Sequence, residues 1–285
     1  MFFGKTSRSS ARRLHANARL GEAKTDARSR LAKWLGLVAL ALLALGLTGY
    51  ALWKTGETLF WGNPRYTLRH LVIRAEGPML SEQHIREYTG IKEGQNLFAL
   101  NLEKQRALFL QRQPNASVMR LTRQIPDTLM IEVTERVAIA RLSRFQSWGV
   151  DREGWVFTVG PGTRDLPAIT GFPATGIGPG SRVAASVFRA LDVVDACRNT
   201  TAGRQLRINT VDVAPREYVE LYMAGGERVR LAWDGMGTGT AAAQKQLENK
   251  LNSMVTALRD AERRGKHIAN LDLTFGDQYI PAQEY

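Results

Sequence analysis

The sequence predicts an α+β protein with an N-terminal transmembrane helix, a small domain of helices and strands, and a mostly antiparallel β domain with two helices. Three observations lead to this fold class. One uncharged apolar run occupies residues 34–53. The order strand, helix, helix, strand, strand then fills residues 66–136. Residues 137–285 add alternating strands and two amphipathic helices, which is typical of an α+β domain.

Positive charge is concentrated ahead of the apolar run. The 285-residue chain has a formal net charge of +12. Residues 1–33 carry nine Lys and Arg against two acidic residues, so seven of the excess charges lie in this tail. A basic tail could bind nucleic acid, but next to an apolar helix it resists translocation. We therefore expect a cytoplasmic tail and no nucleic-acid partner.

The apolar run, "WLGLVALALLALGLTGYALW", predicts an uncleaved membrane anchor at residues 34–53. As a helix it would be roughly 30 Å long, which matches the hydrocarbon core of a bilayer. A cleaved signal peptide is the alternative, but its apolar core would be shorter and would end in a small-x-small site. We expect a single-pass protein of the plasma (inner) membrane, with a linker at 54–65 and the rest of the chain outside the cytoplasm.

The first domain begins with the strand "YTLRHLVIRAEG". The helix "SEQHIREYTG" follows, with Ser81 as its N-cap and Gly90 just after its end. Asn101 can cap a second helix, which Pro114 stops. Two strands, "SVMRLTRQ" and "LMIEVTER", then form a hairpin around the turn "IPDT". Alternating apolar residues in the second of these strands indicate one buried face.

The second domain is predicted from residue 137 onward. The short strand "AIARLS" and the turn "DREG" come first, and Ser181 could cap the helix "RVAASVFRALDVVDACR". The strands "EYVELYM" and "ERVRLAW" follow, joined by the turn "AGG". A long amphipathic helix occupies 240–264, and the strand "IANLDLTF" comes after it.

A glycine-rich turn, "WDGMGTGTAAAQ", joins a strand to a helix in the way a phosphate-binding loop does. Its glycines at 235, 237 and 239 do not match GxGxxG, and the remaining chain is too short for a doubly wound nucleotide domain. A hinge before the helix is the better interpretation.

Other candidates for catalysis are equally weak. Asp151 and Glu153 lie in the turn "DREG", where we expect both side chains to face solvent. The four His residues are far apart, so no metal site is expected. Cys197 lies on or beside an apolar helix face, where packing is expected rather than nucleophilic chemistry. We therefore expect no enzyme activity, no cofactor and no small-molecule substrate.

Several segments together carry a family resemblance. They are "GIKEGQNLF" before the second helix, the run from Arg123 to Arg136, the hairpin "WGVDREGWVF" and the closing "GKHIANLDLTF". In this order, after a single anchor, they resemble the FtsQ/DivIB family of bacterial cell-division proteins. The resemblance implies a POTRA domain (βααββ) at 66–136 and an FtsQ-type β domain at 137–285.

The resemblance also implies a function. It points to a non-enzymatic scaffold of the divisome that binds an FtsB/FtsL pair, acts at the division septum and helps localise and regulate septal peptidoglycan synthesis. A POTRA-bearing transport or secretion component is the alternative, but it would need a membrane β-barrel after the POTRA domain. An envelope-anchored enzyme is a third.

The partner site is predicted at the last strand, "LDLTFGDQYIPAQ". A terminal strand is often a sheet edge, whose free N–H and C=O groups can accept another chain. We predict Phe275, Asp277, Tyr279 and Ile280 as contacts, with the resemblance pointing to Phe275 and Asp277 in particular. Arg216 is a further candidate for an acidic group on the partner. Alternatively, Phe275 could complete the core.

Overall fold

The computed structural model describes the backbone of residues 20–145, 147–276 and 280–284, and the side chains of residues 30–145 and 147–276. The chain divides after Tyr66 into two compact units. The described part of the first, residues 20–66, is almost entirely helical, and the described residues of the second form two β-sheets and four α-helices. This agrees with the predicted α+β class.

The first unit is built on helix α1, Leu20–Gly56, which continues into a π-helical turn at Glu57–Trp61 and a short 3-10 turn at Pro64–Tyr66. The predicted linker at 54–65 is therefore mostly helical. All side chains of residues 34–53 are exposed within this unit. The stretch Arg30–Trp61 is long and apolar enough to cross a membrane, which indicates a single-pass membrane protein.

The second unit begins with a three-stranded sheet that has two helices packed against it. Its elements are β1 (His70–Glu76), α2 (Glu82–Thr89), α3 (Leu102–Arg112), β2 (Ala116–Gln124) and β3 (Thr128–Glu135). The strand order is β1-β3-β2. The central strand, β3, pairs in parallel with β1 and in antiparallel with β2. The predicted order strand, helix, helix, strand, strand is confirmed.

Local sequence determines where these helices begin. The Ser81 hydroxyl accepts the backbone N–H of His84, and the Asn101 side chain accepts that of Lys104, so both predicted N-caps are confirmed. The apolar side chains of α2, α3 and the sheet then form one cluster around the fully buried Phe109.

A nine-stranded sheet with two helices forms the rest of the second unit. Its strands are β4 (Ala140–Leu142), β5 (Trp148–Val150), β6 (Val156–Thr158), β7 (Ala168–Thr170), β8 (Ile208–Asp212), β9 (Val219–Met223), β10 (Arg228–Leu231), β11 (Ile268–Leu273) and β12 (Ile280–Glu284). The helices are α4 (Ala185–Asn199) and α5 (Ala241–Arg263). Short 3-10 turns lie at Pro161–Thr163 and Gly203–Gln205.

The strand order of this sheet is β12-β11-β10-β9-β8-β7-β4-β5-β6. The pairs β4–β7, β7–β8 and β10–β11 are parallel, and the other five neighbouring pairs are antiparallel. The sheet is thus mostly antiparallel, as predicted. One apolar face packs with the buried stripes of α4 and α5 into a single cluster.

The predicted start of α4 is wrong. Ser181 does not cap the helix, which begins at Ala185 after Ala184, a residue without a side-chain cap. Instead the Ser181 hydroxyl donates to the carbonyl of Gly178 and accepts its N–H, which closes a tight turn. The hydroxyl is therefore already used in a turn four residues before the helix begins at Ala185.

A buried ion pair joins the two sheets. Arg136 follows β3 directly, and its guanidinium lies 2.6 Å from the carboxylate of Asp151 at the end of β5. Their side chains are only 14% and 5% exposed. The Arg136 guanidinium also donates to the carbonyl of Pro114 and lies over the ring of Trp155. Asp151 in turn accepts the backbone N–H of Trp155.

The expectation that both carboxylates of "DREG" face solvent is therefore only half right. Glu153 is exposed, but Asp151 is buried because the turn brings it against Arg136, which directly follows β3 of the three-stranded sheet. Gly154 has a φ of +81°, and a Cβ there would lie 2.6 Å from the ring of Phe188. Only glycine suits this position. The turn is structural, but one of its carboxylates holds the domains together.

We predict that Asp151→Ala lowers the free energy of unfolding by about 3 kcal/mol, because it leaves the Arg136 charge buried without its partner. Glu153→Ala, two residues away and exposed, is the matched control and should change it by less than about 0.5 kcal/mol. Denaturant unfolding of the two variants measures both effects. Equal stability of the two variants would contradict the buried ion pair.

Candidate partner-binding site

The two ends of the nine-stranded sheet differ in how their backbone groups are used. At the β6 end, the N–H of Val156 donates to the carbonyl of Ser181, and the carbonyl of Val156 accepts the N–H of Gly180. The side-chain amide of Asn115, which directly precedes β2 of the three-stranded sheet, donates to the carbonyl of Thr158. This end is therefore covered by the protein itself.

The other end is β12, which pairs with β11 in antiparallel register. Among the described residues no further strand pairs with its outer side. Alternate backbone N–H and C=O groups of an edge strand point away from its neighbour and can accept another chain. Pro281 contributes no N–H, so hydrogen bonding by this edge depends on the residues around it.

The terminal segment is not one strand, as the sequence predicted, but a hairpin of β11 and β12. The Asp272 carboxylate accepts both the backbone N–H of Thr274 (2.9 Å) and its hydroxyl (2.6 Å). This local bonding competes with the strand ladder, and β11 ends at Leu273. Strand β11 is consequently paired on both sides, and the edge is formed by β12 instead.

Phe275 lies just after this turn and is 70% exposed. Leu271 and Leu273 are almost completely buried, so Phe275 does not join them in the core. It is the most exposed large apolar side chain described in the second unit. Exposed aromatic residues next to an open strand edge are typical anchors of a protein interface.

The structure places the other predicted site residues less completely. Asp277 and Tyr279 lie outside the described residues, and both remain predictions. Ile280 begins β12 and pairs with Asp272, but its side chain is likewise outside the described part. Arg216 is exposed in the loop before β9. Strands β10 and β11 lie between β9 and β12, so β9 is about 14 Å from β12.

Charged and aromatic side chains occupy the sheet face between Arg216 and β12. Arg228 lies over the ring of Tyr222, and Arg230 over that of Tyr218. Glu220 is 3.8 Å from both guanidinium groups. These residues were not among the predicted contacts, although the alternation in "ERVRLAW" already places Arg228 and Arg230 on the face opposite the core. A partner that reaches both β12 and Arg216 would cross this surface.

The glycine-rich turn and Cys197, which were considered for phosphate binding and catalysis, have structural roles. The N–H of Gly237, which a phosphate loop would offer to its ligand, donates to the Asp192 carboxylate at 2.8 Å. Burial raises the pKa of this carboxyl group. Thr240 caps α5, so the glycine-rich stretch is a hinge before a helix. Burial also raises the pKa of Cys197 to about 12, which makes its thiol a poor nucleophile.

Comparison with known proteins agrees with this architecture. Residues 67–136 match the family model "POTRA domain, FtsQ-type". The chain is 24% identical over 258 residues to the cell division protein FtsQ of Geotalea daltonii, covering 88% of this chain and 86% of the relative. It is 28% identical over 244 residues to the FtsQ of Myxococcus fulvus, covering 81% and 80%.

The POTRA match and the two FtsQ relatives support membership of the FtsQ/DivIB family. The two FtsQ relatives align with both the POTRA domain and the nine-stranded sheet, since the alignments span most of the chain. This similarity supports a role in cell division. The open β12 edge and Phe275 belong to the domain built on the nine-stranded sheet.

We predict that Phe275→Ala leaves the thermal melting of the full chain in detergent unchanged, because the ring is already in solvent. Leu273→Ala, two residues earlier and fully buried, should cost about 3 kcal/mol. Circular dichroism melts compare the two variants. A large loss of stability in Phe275→Ala would place the ring in the core and remove it from the candidate site.

Proposed function

We propose that this protein is a non-enzymatic scaffold of the divisome that binds an FtsB/FtsL pair at its terminal hairpin. In this role it helps localise and regulate septal peptidoglycan synthesis. The observation that carries the proposal is the open β12 edge beside the exposed Phe275. The family, whose members named above are cell division proteins, supports the division role over a transport or secretion component.

Strand addition is the proposed binding mode. A segment of the partner would extend the sheet beyond β12, and its backbone would pair with groups that β12 does not use for β11. Phe275, with Tyr279 and Ile280, would supply apolar anchors, and Asp277 a polar contact. Arg216 would attract an acidic group at the far side of the surface around Arg228 and Arg230. Backbone pairing gives affinity, and these side chains give specificity.

We also propose the membrane topology and domain division that the sequence predicts. Residues 1–33 would lie in the cytoplasm, residues 34–53 would span the inner membrane, and the chain beyond the linker at 54–65 would lie outside, concentrated at the septum. The POTRA domain would occupy 66–136 and the β domain 137–285. The basic tail before an apolar helix supports this orientation.

The topology predicts that alkaline phosphatase fused after Tyr66 is active, because this enzyme needs an oxidising compartment. The same reporter fused ahead of Leu20 should be inactive. Fusions to green fluorescent protein should give the opposite pattern. A phosphatase signal only from the N-terminal fusion would invert the proposed orientation.

The binding site predicts that Phe275→Ala and Tyr279→Glu each weaken binding of the extracytoplasmic segment of FtsB by about 30-fold, the size of an interface hot spot. Tyr88→Ala, which removes an exposed aromatic ring from α2, is the matched control and should bind normally. Isothermal titration of the full chain in detergent measures the affinities. Wild-type affinity in both hairpin variants would show that the site lies elsewhere.

A further inference from the structure

Helix α5 buries a lysine among its apolar residues. Lys250 lies one turn from Leu247 and Met254 on the buried face, and it is only 7% exposed. A buried ammonium group is costly unless hydrogen bonds replace its lost water. The other lysine within α5, Lys245, is exposed. The buried position of Lys250 therefore calls for a structural reason.

The partners of Lys250 lie at the terminal hairpin. Its ammonium group donates to the carbonyl of Leu273 at 2.9 Å and to the carbonyl of Gly276. Leu273 is the last residue of β11, and Gly276 is three residues further along the chain. One cation on α5 therefore binds the backbone on both sides of Phe275.

The same turn is held from its other side. Asp272 accepts the N–H and the hydroxyl of Thr274, as described above. Gly276 has a φ of +42°, a backbone conformation that residues other than glycine rarely adopt. The backbone around Phe275 is thus held by Lys250 and by Asp272, and Gly276 allows the turn at positive φ. This arrangement holds a large apolar ring in solvent rather than against the core.

We propose that Lys250 is a positioning residue for partner binding, because it fixes the turn that presents Phe275 beside the β12 edge. The inference rests on the proposed function, since it assumes that the partner binds at this hairpin. A turn that is already ordered does not lose conformational entropy when the partner binds. Lys250 would therefore raise affinity without touching the partner.

The test is Lys250→Met in the full chain, with Lys245→Met as the matched control on the exposed face of the same helix. Met keeps most of the length of the side chain and removes both the charge and the hydrogen-bond donors. We expect Lys250→Met to weaken FtsB binding about tenfold, which corresponds to the entropy of fixing about one residue. Lys245→Met should bind as the wild type does.

Hydrogen exchange separates positioning from a general loss of stability. In Lys250→Met, the amide of Thr274, which donates to Asp272, should exchange faster, while those of β8 and β9 keep their protection. If this variant does not fold, Thr274→Val tests the same turn from its half-exposed side and should also weaken binding. Wild-type affinity in a folded Lys250→Met, or in Thr274→Val where that variant is needed, would overturn the inference.

The effect of Phe275→Ala distinguishes this inference from the proposed site. Weaker binding in Phe275→Ala together with normal binding in a folded Lys250→Met would refute only the role of Lys250. Normal binding in Phe275→Ala would refute the site, and the role of Lys250 with it. Weaker binding in both variants, with faster exchange confined to the turn, supports both.

Discussion

The ion pair between Arg136 and Asp151 is the contact on which the second unit depends. It buries two opposite charges at 2.6 Å where the POTRA sheet meets the hairpin of β5 and β6. Since each charge is stable there only with its partner, the two domains are held in one arrangement. Asn115 and the loop around Ser181 then cover the β6 end of the large sheet. Among the described strands of the large sheet, the edge left open is at the opposite end, in β12.

Helices and strands whose ends and buried faces depend on neighbouring residues in the chain were predicted from the sequence. The POTRA helices begin at caps supplied by Ser81 and Asn101, and β3 alternates in a way that only a half-buried strand requires. The strands β7 and β8 were not predicted. Strand β7 has only three residues and is held by parallel neighbours distant in sequence, so little in its own pattern indicates it. The burial of Asp151 depends likewise on Arg136, which belongs to another domain.

The candidate site was predicted in part. An apolar aromatic residue near the last strand indicated Phe275, and the structure exposes it. The division of this segment into β11 and β12 depends on side-chain bonds from Thr274 to Asp272, which a strand pattern does not reveal. Lys250 is hidden for a different reason, because a lysine in an amphipathic helix is normally taken as solvated. Its role becomes visible only where its ammonium group meets two backbone carbonyls.

Partner binding by strand addition at β12 is tested most directly by backbone hydrogen exchange of the full chain, with and without the extracytoplasmic segment of FtsB. Strand addition predicts that amides within 280–284 become protected on binding, apart from Pro281, which has none. The amides of β6, whose outer groups are already bonded within the protein, should not change. Saturated binding that leaves β12 unprotected, or that protects β2 of the POTRA sheet instead, would contradict the proposed site.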